Sequence, residues 1–111
     1  MNEWNINITA QAEADLRGIY EYISFTLLEP GVAEKLLNRI IAAINSLTQM
    51  PARYAVYEKE PMKSRGLRRM NVGNYAVFFT PVEEWNKVVI LRVLYGGRNI
   101  DEILTKSTGD F

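Results

Sequence analysis

The stretch LRRMNVGNYAVFFTPVEEWNKVVILRVLYGG, residues 67–97, decides the fold of this chain. Gly73-Asn74 has the composition of a two-residue hairpin turn, so the sequence predicts antiparallel strands over residues 67–72 and 75–82. After a short polar turn, a third strand is predicted over residues 88–95. The second and third strands are apolar on both faces, which predicts central positions in the sheet.

The residues before this stretch predict one strand and two helices. Trp4, Ile6 and Ile8 alternate with polar neighbours, as in a half-buried strand. Apolar residues then recur with helical spacing over about residues 10–28 and again over 32–50, separated by a proline and a glycine. The short link makes the two helices an antiparallel hairpin. The sequence therefore predicts an α+β fold (β-α-α-β-β-β), in which the hairpin packs on a mostly antiparallel sheet.

The other segments carry weaker signals. Residues 51–66 predict an irregular loop with a short edge strand around Tyr54, Val56 and Tyr57. After the third strand of the meander, residues 98–104 predict a short tail with at most one helical turn, and residues 105–111 are expected to fray. Residues 1–111 are predicted to form a single domain, as is usual at this length.

Composition excludes several kinds of chemistry. The 111 residues contain no His and no Cys, which rules out a disulfide framework, a thiolate zinc site, a Ser-His-Asp triad and a histidine base. The carboxylates do not cluster at a spacing typical of a cation site, so neither a metal nor a cofactor is expected. The N-terminus lacks an apolar signal segment and no run approaches 18 apolar residues. We therefore expect a cytoplasmic protein that does not enter the membrane.

The formal net charge is zero but is unevenly distributed. Residues 1–60 carry five basic and eight acidic side chains, whereas residues 61–100 carry seven basic and two acidic ones. The basic side chains of such a segment either bind an anionic partner or form the hydrated face of a sheet. Charge alone does not distinguish these two interpretations.

Several short motifs occur in a fixed order along the chain. They are AEADL (12–16), IYEYI (19–23), AEKL (33–36), RRMNVGNY (68–75), VFF (77–79) and ILRVLYGGRNI (90–100). In this order the chain resembles the RelE/ParE superfamily of toxins from type II toxin–antitoxin modules, and most of all the ParE branch. The resemblance covers roughly residues 4–104. It implies a bacterial toxin of the kind linked to plasmid stabilisation, held inactive by a cognate antitoxin and forming a homodimer or a hetero-oligomer with it.

The resemblance implies one of two activities. ParE-like members are associated with poisoning DNA gyrase, and RelE-like members cut mRNA in the ribosome. RelE-like nucleases place an arginine after the middle-strand tyrosine, where this chain has Ala76, and often a tyrosine near the C-terminus, where it has Leu104. Their arginine after the last strand is matched by Arg98. A gyrase-binding toxin that is not itself an enzyme is therefore favoured, with a ribosome-dependent endoribonuclease or a non-toxic interaction module as the alternatives.

Candidate site residues follow from each activity. The predicted target contacts are Arg98, Arg92, Arg68 and Arg69. For a nuclease, the catalytic candidates are Arg98, Arg65, Glu58 and Glu60. The antitoxin is expected to lay a helix on apolar residues beside the hairpin, namely Leu27, Leu28, Val32 and Met62.

Two of the arginines also have a purely structural interpretation. Arg98 can form an ion pair with Asp101 or Glu102 that fixes the tail. Arg92 lies in an otherwise apolar strand, so it can form a buried pair with a carboxylate of the first helix. Arg68 and Arg69 are neighbours on one strand and must point to opposite faces of the sheet.

Overall fold

A computed structural model describes residues 3–107 of the chain. The strands are β1 (Asn5–Ile8), β2 (Arg68–Val72), β3 (Tyr75–Val82) and β4 (Lys87–Tyr95). The α-helices are α1 (Ala10–Glu21), α2 (Pro30–Asn45) and α3 (Ile100–Ser107). The predicted α+β order is confirmed, with α3 added after the last strand.

The four strands form one sheet in the order β1-β4-β3-β2. Strands β2, β3 and β4 make the predicted antiparallel meander, and β1 joins it parallel to β4, with Ile6 opposite Val88 and Ile8 opposite Ile90. Parallel pairing needs a long connection, and here it consists of α1, α2, the loop after them and the strands β2 and β3. The central positions predicted for β3 and β4 are confirmed.

The helical hairpin covers one face of the sheet. Ile40, Ile44 and Leu47 come from α2 and the turn after it, and they are buried against Phe79 of β3 and Ile90 of β4. Because neighbouring strand residues point to opposite faces, Phe78 lies on the other side of the sheet from Phe79.

A loop and α3 cover the opposite face. Phe78 and Leu94 are buried there by Met62 and Leu67 of the loop and by Leu104 of α3. The tail is therefore longer and better packed than predicted: α3 continues to residue 107, so residues 105–107 are helical where fraying was expected. The helix extends this far because the apolar side chains of α3 pack on Phe78, Leu94, Met62 and Leu67. We call this cluster the second core. Residues 108–111, also expected to fray, lie outside the described part of the chain.

Two element boundaries differ from the prediction. The first helix is regular only as far as Glu21 and continues as a π-helical turn, Tyr22–Thr26. The second helix begins at Pro30 rather than at residue 32, because the first turn of a helix tolerates a residue without an N–H donor. It ends at Asn45 and is followed by a 3₁₀ turn, Ser46–Thr48, so it is shorter than the predicted 32–50.

The predicted edge strand at residues 54–57 is reduced to one bridge between Val56 and Arg68. The Tyr57 N–H donates to the Leu67 carbonyl at 2.7 Å and the Arg69 N–H donates to the Ala55 carbonyl at 3.4 Å. The chain turns tightly directly afterwards, over residues 59–66, so the pairing cannot continue.

One ion pair fastens α1 to the sheet. The Asp15 carboxylate accepts hydrogen bonds from Arg92 Nε at 2.7 Å and Nη2 at 2.8 Å, and from the Val93 backbone N–H at 2.9 Å. The two side chains are only 13% and 14% exposed. Of the two interpretations of Arg92, the structural one, a pair with a carboxylate of the first helix, is confirmed.

Replacing Asp15 by alanine is expected to lower the free energy of unfolding by about 2–4 kcal/mol, because it leaves the Arg92 charge poorly hydrated and the Val93 N–H without its acceptor. Urea unfolding followed by circular dichroism measures the loss. The control is Glu13→Ala, which removes an exposed carboxylate from the first turn of α1. It should lower the free energy of unfolding only by the helix-dipole contribution, about 0.3–1 kcal/mol. Equal effects of the two substitutions would contradict a structural role for the pair.

Candidate functional site

A cleft of about 780 Å³ lies between α1, the turn after it and the ends of β3 and β4. We call it the hairpin cleft. Its lining side chains include Ile19, Tyr22, Leu27, Tyr75, Tyr95 and Arg98. The volume is in the range of clefts that bind ligands or docking segments, and the walls are mainly aromatic and aliphatic.

The walls of the hairpin cleft are exposed aromatic and aliphatic side chains. Tyr22, Leu27 and Tyr95 are each about half exposed. The Tyr75 and Tyr95 rings pack edge to face with their centroids 5.6 Å apart, which fixes the β3–β4 wall. Burial, with the nearby Tyr95 and Tyr22 hydroxyls, raises the pKa of the Tyr75 hydroxyl above its ordinary value.

The tip of the helical hairpin extends this apolar surface. Leu28 has a positive φ of 57° and is 77% exposed, and Phe25 in the π-helical turn is 71% exposed. The left-handed conformation costs a residue with a β-carbon about 1–2 kcal/mol, so the local structure is held in a costly form that presents large apolar groups to solvent. Backbone strain of this kind is concentrated at functional sites.

Three of the four predicted antitoxin contacts are exposed. Leu27, Leu28 and Val32 are all at least half exposed and lie at or next to the hairpin tip. The prediction for Met62 is wrong, because its side chain is only 1% exposed. The turn at residues 59–66 places Met62 under the loop, where it packs in the second core.

Arg98 lies exposed at the hairpin cleft, after Gly96-Gly97. Its two predicted ion-pair partners are engaged elsewhere: Asp101 binds Lys59, and Glu102 binds Lys106. Within residues 3–107 the Arg98 guanidinium makes no ion pair. The structural interpretation of Arg98 as a tail-fixing ion pair is therefore wrong, and its charge faces solvent beside an apolar cleft.

A second cleft, of about 470 Å³, lies on the other face of the sheet, and we call it the sheet cleft. Asp101 of α3 accepts hydrogen bonds there from the Tyr57 hydroxyl and from Lys59 Nζ. Arg69 lines the same cleft, where its Nε donates to Asn71 Oδ1 at 2.9 Å and its guanidinium lies over the Phe78 ring.

Two titratable groups of the sheet cleft, Tyr57 and Asp101, have shifted pKa values. Burial, with the hydrogen bond to Asp101, raises the pKa of Tyr57 to about 12. The hydrogen bond from Lys59, with that from Tyr57, holds the pKa of Asp101 below its usual value. The two pKa values move away from neutrality in opposite directions, so neither group is suited to exchange a proton with a substrate at pH 7.

The structure does not bring the four catalytic candidates of the nuclease interpretation together. Glu58 lines the sheet cleft, and Arg98 lines the hairpin cleft. Glu60 accepts hydrogen bonds from the backbone and side chain of Ser64 at 2.9 and 2.8 Å, and these bonds lower its pKa. Arg65 lines a third cleft, near the start of the sheet.

The other predicted target contacts differ in how accessible they are. Arg92 is engaged with Asp15. Arg68 donates to the Ala52 and Tyr54 carbonyls on the hairpin side, while Arg69 lies over Phe78 on the opposite side, as predicted from their spacing. The arginines therefore form no single basic patch.

Sequence reasoning missed the site residues that come from distant segments. Tyr57 and Asp101 are 44 positions apart, and no periodic signal connects them. Tyr22 and Tyr95 are also far apart, although the Gly-Gly pair after Tyr95 was a signal that the chain turns there. Within residues 3–107, no group of three or more His, Cys, Asp or Glu side chains lies close enough to hold a metal ion. In the same part of the chain, no helix is both long enough and apolar enough to cross a membrane.

Comparison with known proteins matches this sequence to a family of toxins. The family described as "ParE toxin of type II toxin-antitoxin system, parDE" matches residues 6–100. No curated protein matches the sequence significantly.

Solved structures share the fold. A chain of the chromosomal ParDE toxin–antitoxin system from P. aeruginosa is 24% identical, with a TM-score of 0.68 over 84% of this chain and 96% of that one. A chain of the toxin–antitoxin complex RelBE2 from Mycobacterium tuberculosis is 22% identical, with a TM-score of 0.60 over 86% and 93% of the two chains. A mutant of the E. coli toxin RelE in the free state is 9% identical, with a TM-score of 0.66 over 96% of both chains.

Replacing Asp101 by asparagine is expected to lower the pKa of Tyr57 from about 12 toward its ordinary value of 10, because the negative charge that disfavours the tyrosinate is removed. Ultraviolet titration with and without Tyr57→Phe isolates this one phenol. The control is Glu102→Gln, a carboxylate of the same helix that binds Lys106 instead.

The same shift determines a pH dependence of stability. Because the pKa of Tyr57 is higher in the folded than in the unfolded chain, its stabilising contribution is complete below about pH 10 and is lost as the pH rises toward 12. The Asp101→Asn variant should lose less stability over this interval than the wild type. A parallel decline in both proteins would show that burial alone raises this pKa and that Asp101 adds nothing to it.

Replacing Met62 by alanine is expected to lower the free energy of unfolding by about 2–5 kcal/mol, because it opens a cavity in the second core. Leu28→Ala is the matched surface variant, since Leu28 is 77% exposed, and its effect on unfolding should stay within about 0.5 kcal/mol. Urea unfolding compares the two. A larger effect of Leu28→Ala would contradict the assignment of Met62 to the core and Leu28 to the surface.

Proposed function

This chain belongs to the ParE toxin family of type II toxin–antitoxin systems, and we propose that it arrests growth by binding DNA gyrase and is neutralised by a cognate antitoxin. In this proposal the protein acts in the cytoplasm as a binding inhibitor, and the enzyme whose chemistry is harmed is gyrase. It forms a complex with its antitoxin when it is inactive.

The main support for a binding inhibitor rather than a nuclease is the burial of Ala76 and Leu104. Ala76 and Leu104 occupy the places at which RelE-like nucleases carry an arginine and a tyrosine, and both are completely buried in the second core. An arginine or a reactive tyrosine at either place would need this core to open. Of the three nuclease groups only Arg98 is present, and it lines a different cleft from Glu58.

The exposed apolar surface supports the antitoxin part of the proposal. Leu27, Leu28 and Val32 form an apolar tip that continues into the hairpin cleft. Apolar side chains concentrated on one part of a small protein mark an interaction surface. We assign the tip and the cleft to the antitoxin.

For the target, Arg98 is the strongest candidate among the four predicted arginines. Arg92 and Arg68 are committed to contacts within the fold, and Arg69 lies over an aromatic ring. Arg98 is the exposed one of the four, and its side chain makes no hydrogen bond, ion pair or ring contact within residues 3–107.

Induced expression without the antitoxin is the test. We expect growth arrest with a DNA-damage response and gyrase-linked DNA breaks while mRNA stays intact, and the purified protein should inhibit supercoiling by gyrase. Arg98→Ala should reduce both effects by about tenfold or more, since a charged contact at an interface contributes at least 1.4 kcal/mol when it is desolvated. Lys63→Ala, which removes an exposed cation of the loop, is the control and should leave toxicity unchanged.

Two other results would overturn the proposal. Prompt translation arrest with cut mRNA would identify a ribosome-dependent endoribonuclease, and the search for its acid and base would move to Arg65, Glu58 and Glu60. Harmless expression, together with uninhibited gyrase, would identify an interaction module of the same fold.

A further inference from the structure

Two long ranges of the sequence carry cations without any acidic residue between them. Residues 35–57 and 61–82 together contain seven Lys and Arg side chains and no Asp or Glu. The first range holds most of α2 and the turns after it, and the second holds β2 and β3. Strand β2 is an edge of the sheet, and the loop that follows α2 forms a bridge to it. Cations of the two ranges therefore share one side of the molecule.

Contacts at both ends of β2 connect this strand to α2. At one end, Arg39 of α2 lies against the hairpin turn, where a β-carbon placed on Gly73 would be 3.4 Å from Arg39 Nη1. At the other end, Arg68 donates to two backbone carbonyls of the loop after α2. In the same loop, Arg53 Nη2 donates to Ser46 Oγ, directly after α2, at 3.3 Å. The helix and the edge strand thus border one continuous surface.

Three exposed cations lie along this surface, and we call them the basic stripe: Lys35, Arg39 and Arg53. Lys35 lies about one helical turn before Arg39, and both line a cleft of about 340 Å³ beside the Gly73 turn. From Lys35 to Ser46, which contacts Arg53, an α-helix rises by about 16 Å. Because the phosphates of one DNA strand follow each other every 3.4 Å or so along the duplex, the stripe is long enough to meet several of them.

No carboxylate neutralises the basic stripe within residues 3–107. None of its three side chains forms an ion pair there. The described hydrogen bonds of Arg53 go to neutral carbonyl and hydroxyl oxygens, and its guanidinium lies 4.7 Å from the centroid of the Tyr54 ring. These contacts hold the guanidinium in place and leave its charge intact. The half-buried Arg68 adds a fourth positive charge beside the stripe.

From this arrangement we infer that the basic stripe binds the phosphate backbone of DNA, and that through it the toxin contacts the DNA segment held by gyrase. The inference rests on the proposed function and adds a nucleic-acid contact to it. Cations clustered along a helix are typical of a surface that binds nucleic acid. Protein surfaces usually carry charges of both signs, whereas phosphates repeat one sign at short intervals. A row of cations without carboxylates is complementary to the second pattern.

The stripe also divides the work of recognition between two contacts. Phosphate contacts carry no sequence information, so the stripe binds any DNA. Because the net charge of the protein is zero and the stripe has three cations, its affinity for free DNA is low. Selectivity for gyrase then comes from the protein contact through Arg98, and the stripe adds affinity only when DNA is already bound to the enzyme.

Fluorescence anisotropy with the purified full-length toxin and a fluorescein-labelled DNA duplex of arbitrary sequence tests the phosphate contact. For three contacts, log K should fall with log salt concentration with a slope of about −2.7. Lys35→Gln and Arg39→Gln should each make this slope shallower by about 0.9 and weaken binding about tenfold at about 50 mM salt. Lys87→Gln is the matched control, since Lys87 is equally exposed but begins β4, away from β2. It should change the affinity by less than about twofold.

A supercoiling assay tests the contact with DNA on gyrase. The double variant Lys35→Gln/Arg39→Gln should need at least about fivefold more protein than the wild type for half-inhibition, whereas Lys87→Gln should match the wild type. Lys35 and Arg39 are both exposed, so their substitution leaves the fold intact, which circular dichroism verifies.

Two results would overturn the DNA contact itself. One is equal duplex affinity of the wild type and the double variant, or no binding by either protein at about 50 mM salt. The other is displacement of the duplex by a polyglutamate peptide at equal charge concentration, which would identify an acidic protein surface as the ligand.

The two assays separate this inference from the proposed function. Equal inhibition of gyrase by the wild type and the double variant would overturn the contact with gyrase-held DNA while the proposed function stands. Wild-type protein that binds the duplex through the stripe but leaves gyrase uninhibited would overturn the proposed function, and with it the role of the stripe on gyrase.

Discussion

The central strands β3 and β4 are apolar on both faces, and this single constraint determines what the rest of the chain has to do. A strand pair of this kind is stable in water only when both faces are covered. The helical hairpin covers one face, and the loop at residues 54–67 together with α3 covers the other. Some of the candidate groups lie on these covers, Leu27 and Leu28 at the hairpin tip and Asp101 on α3, whereas Arg98 follows the end of β4.

The sequence predicted most of what depends on local periodicity. The meander, the two helices and the central places of β3 and β4 follow from spacing over fewer than 20 residues. For Arg92 the sequence left two interpretations, a target contact and a buried pair, and the structure shows the pair. The misassignment of Met62 has a different origin. Its burial depends on how a loop folds over a distant surface, and composition does not specify that.

The candidate site was less predictable for a related physical reason. The Tyr57–Asp101 contact joins segments 44 residues apart, and the hairpin cleft is built from α1, β3, β4 and the residues after them. Such sites form where several helices and strands meet. The sequence gives the chemistry of each residue, but it does not show which residues will be its neighbours in space. The positive φ of Leu28 is also invisible, because leucine normally avoids that conformation and only the surrounding structure enforces it.

The parallel pairing of β1 with β4 has a consequence for how the protein is made. Strand β1 has β4 as its one partner in the sheet, and Ile6 pairs with Val88, so the first strand cannot be placed until more than eighty further residues have been synthesised. At about 5–20 residues per second this takes on the order of 10 s. During that interval the nascent chain has no complete sheet and no assembled hairpin cleft. The surface that lines the hairpin cleft is thus complete only when translation of the chain is nearly finished.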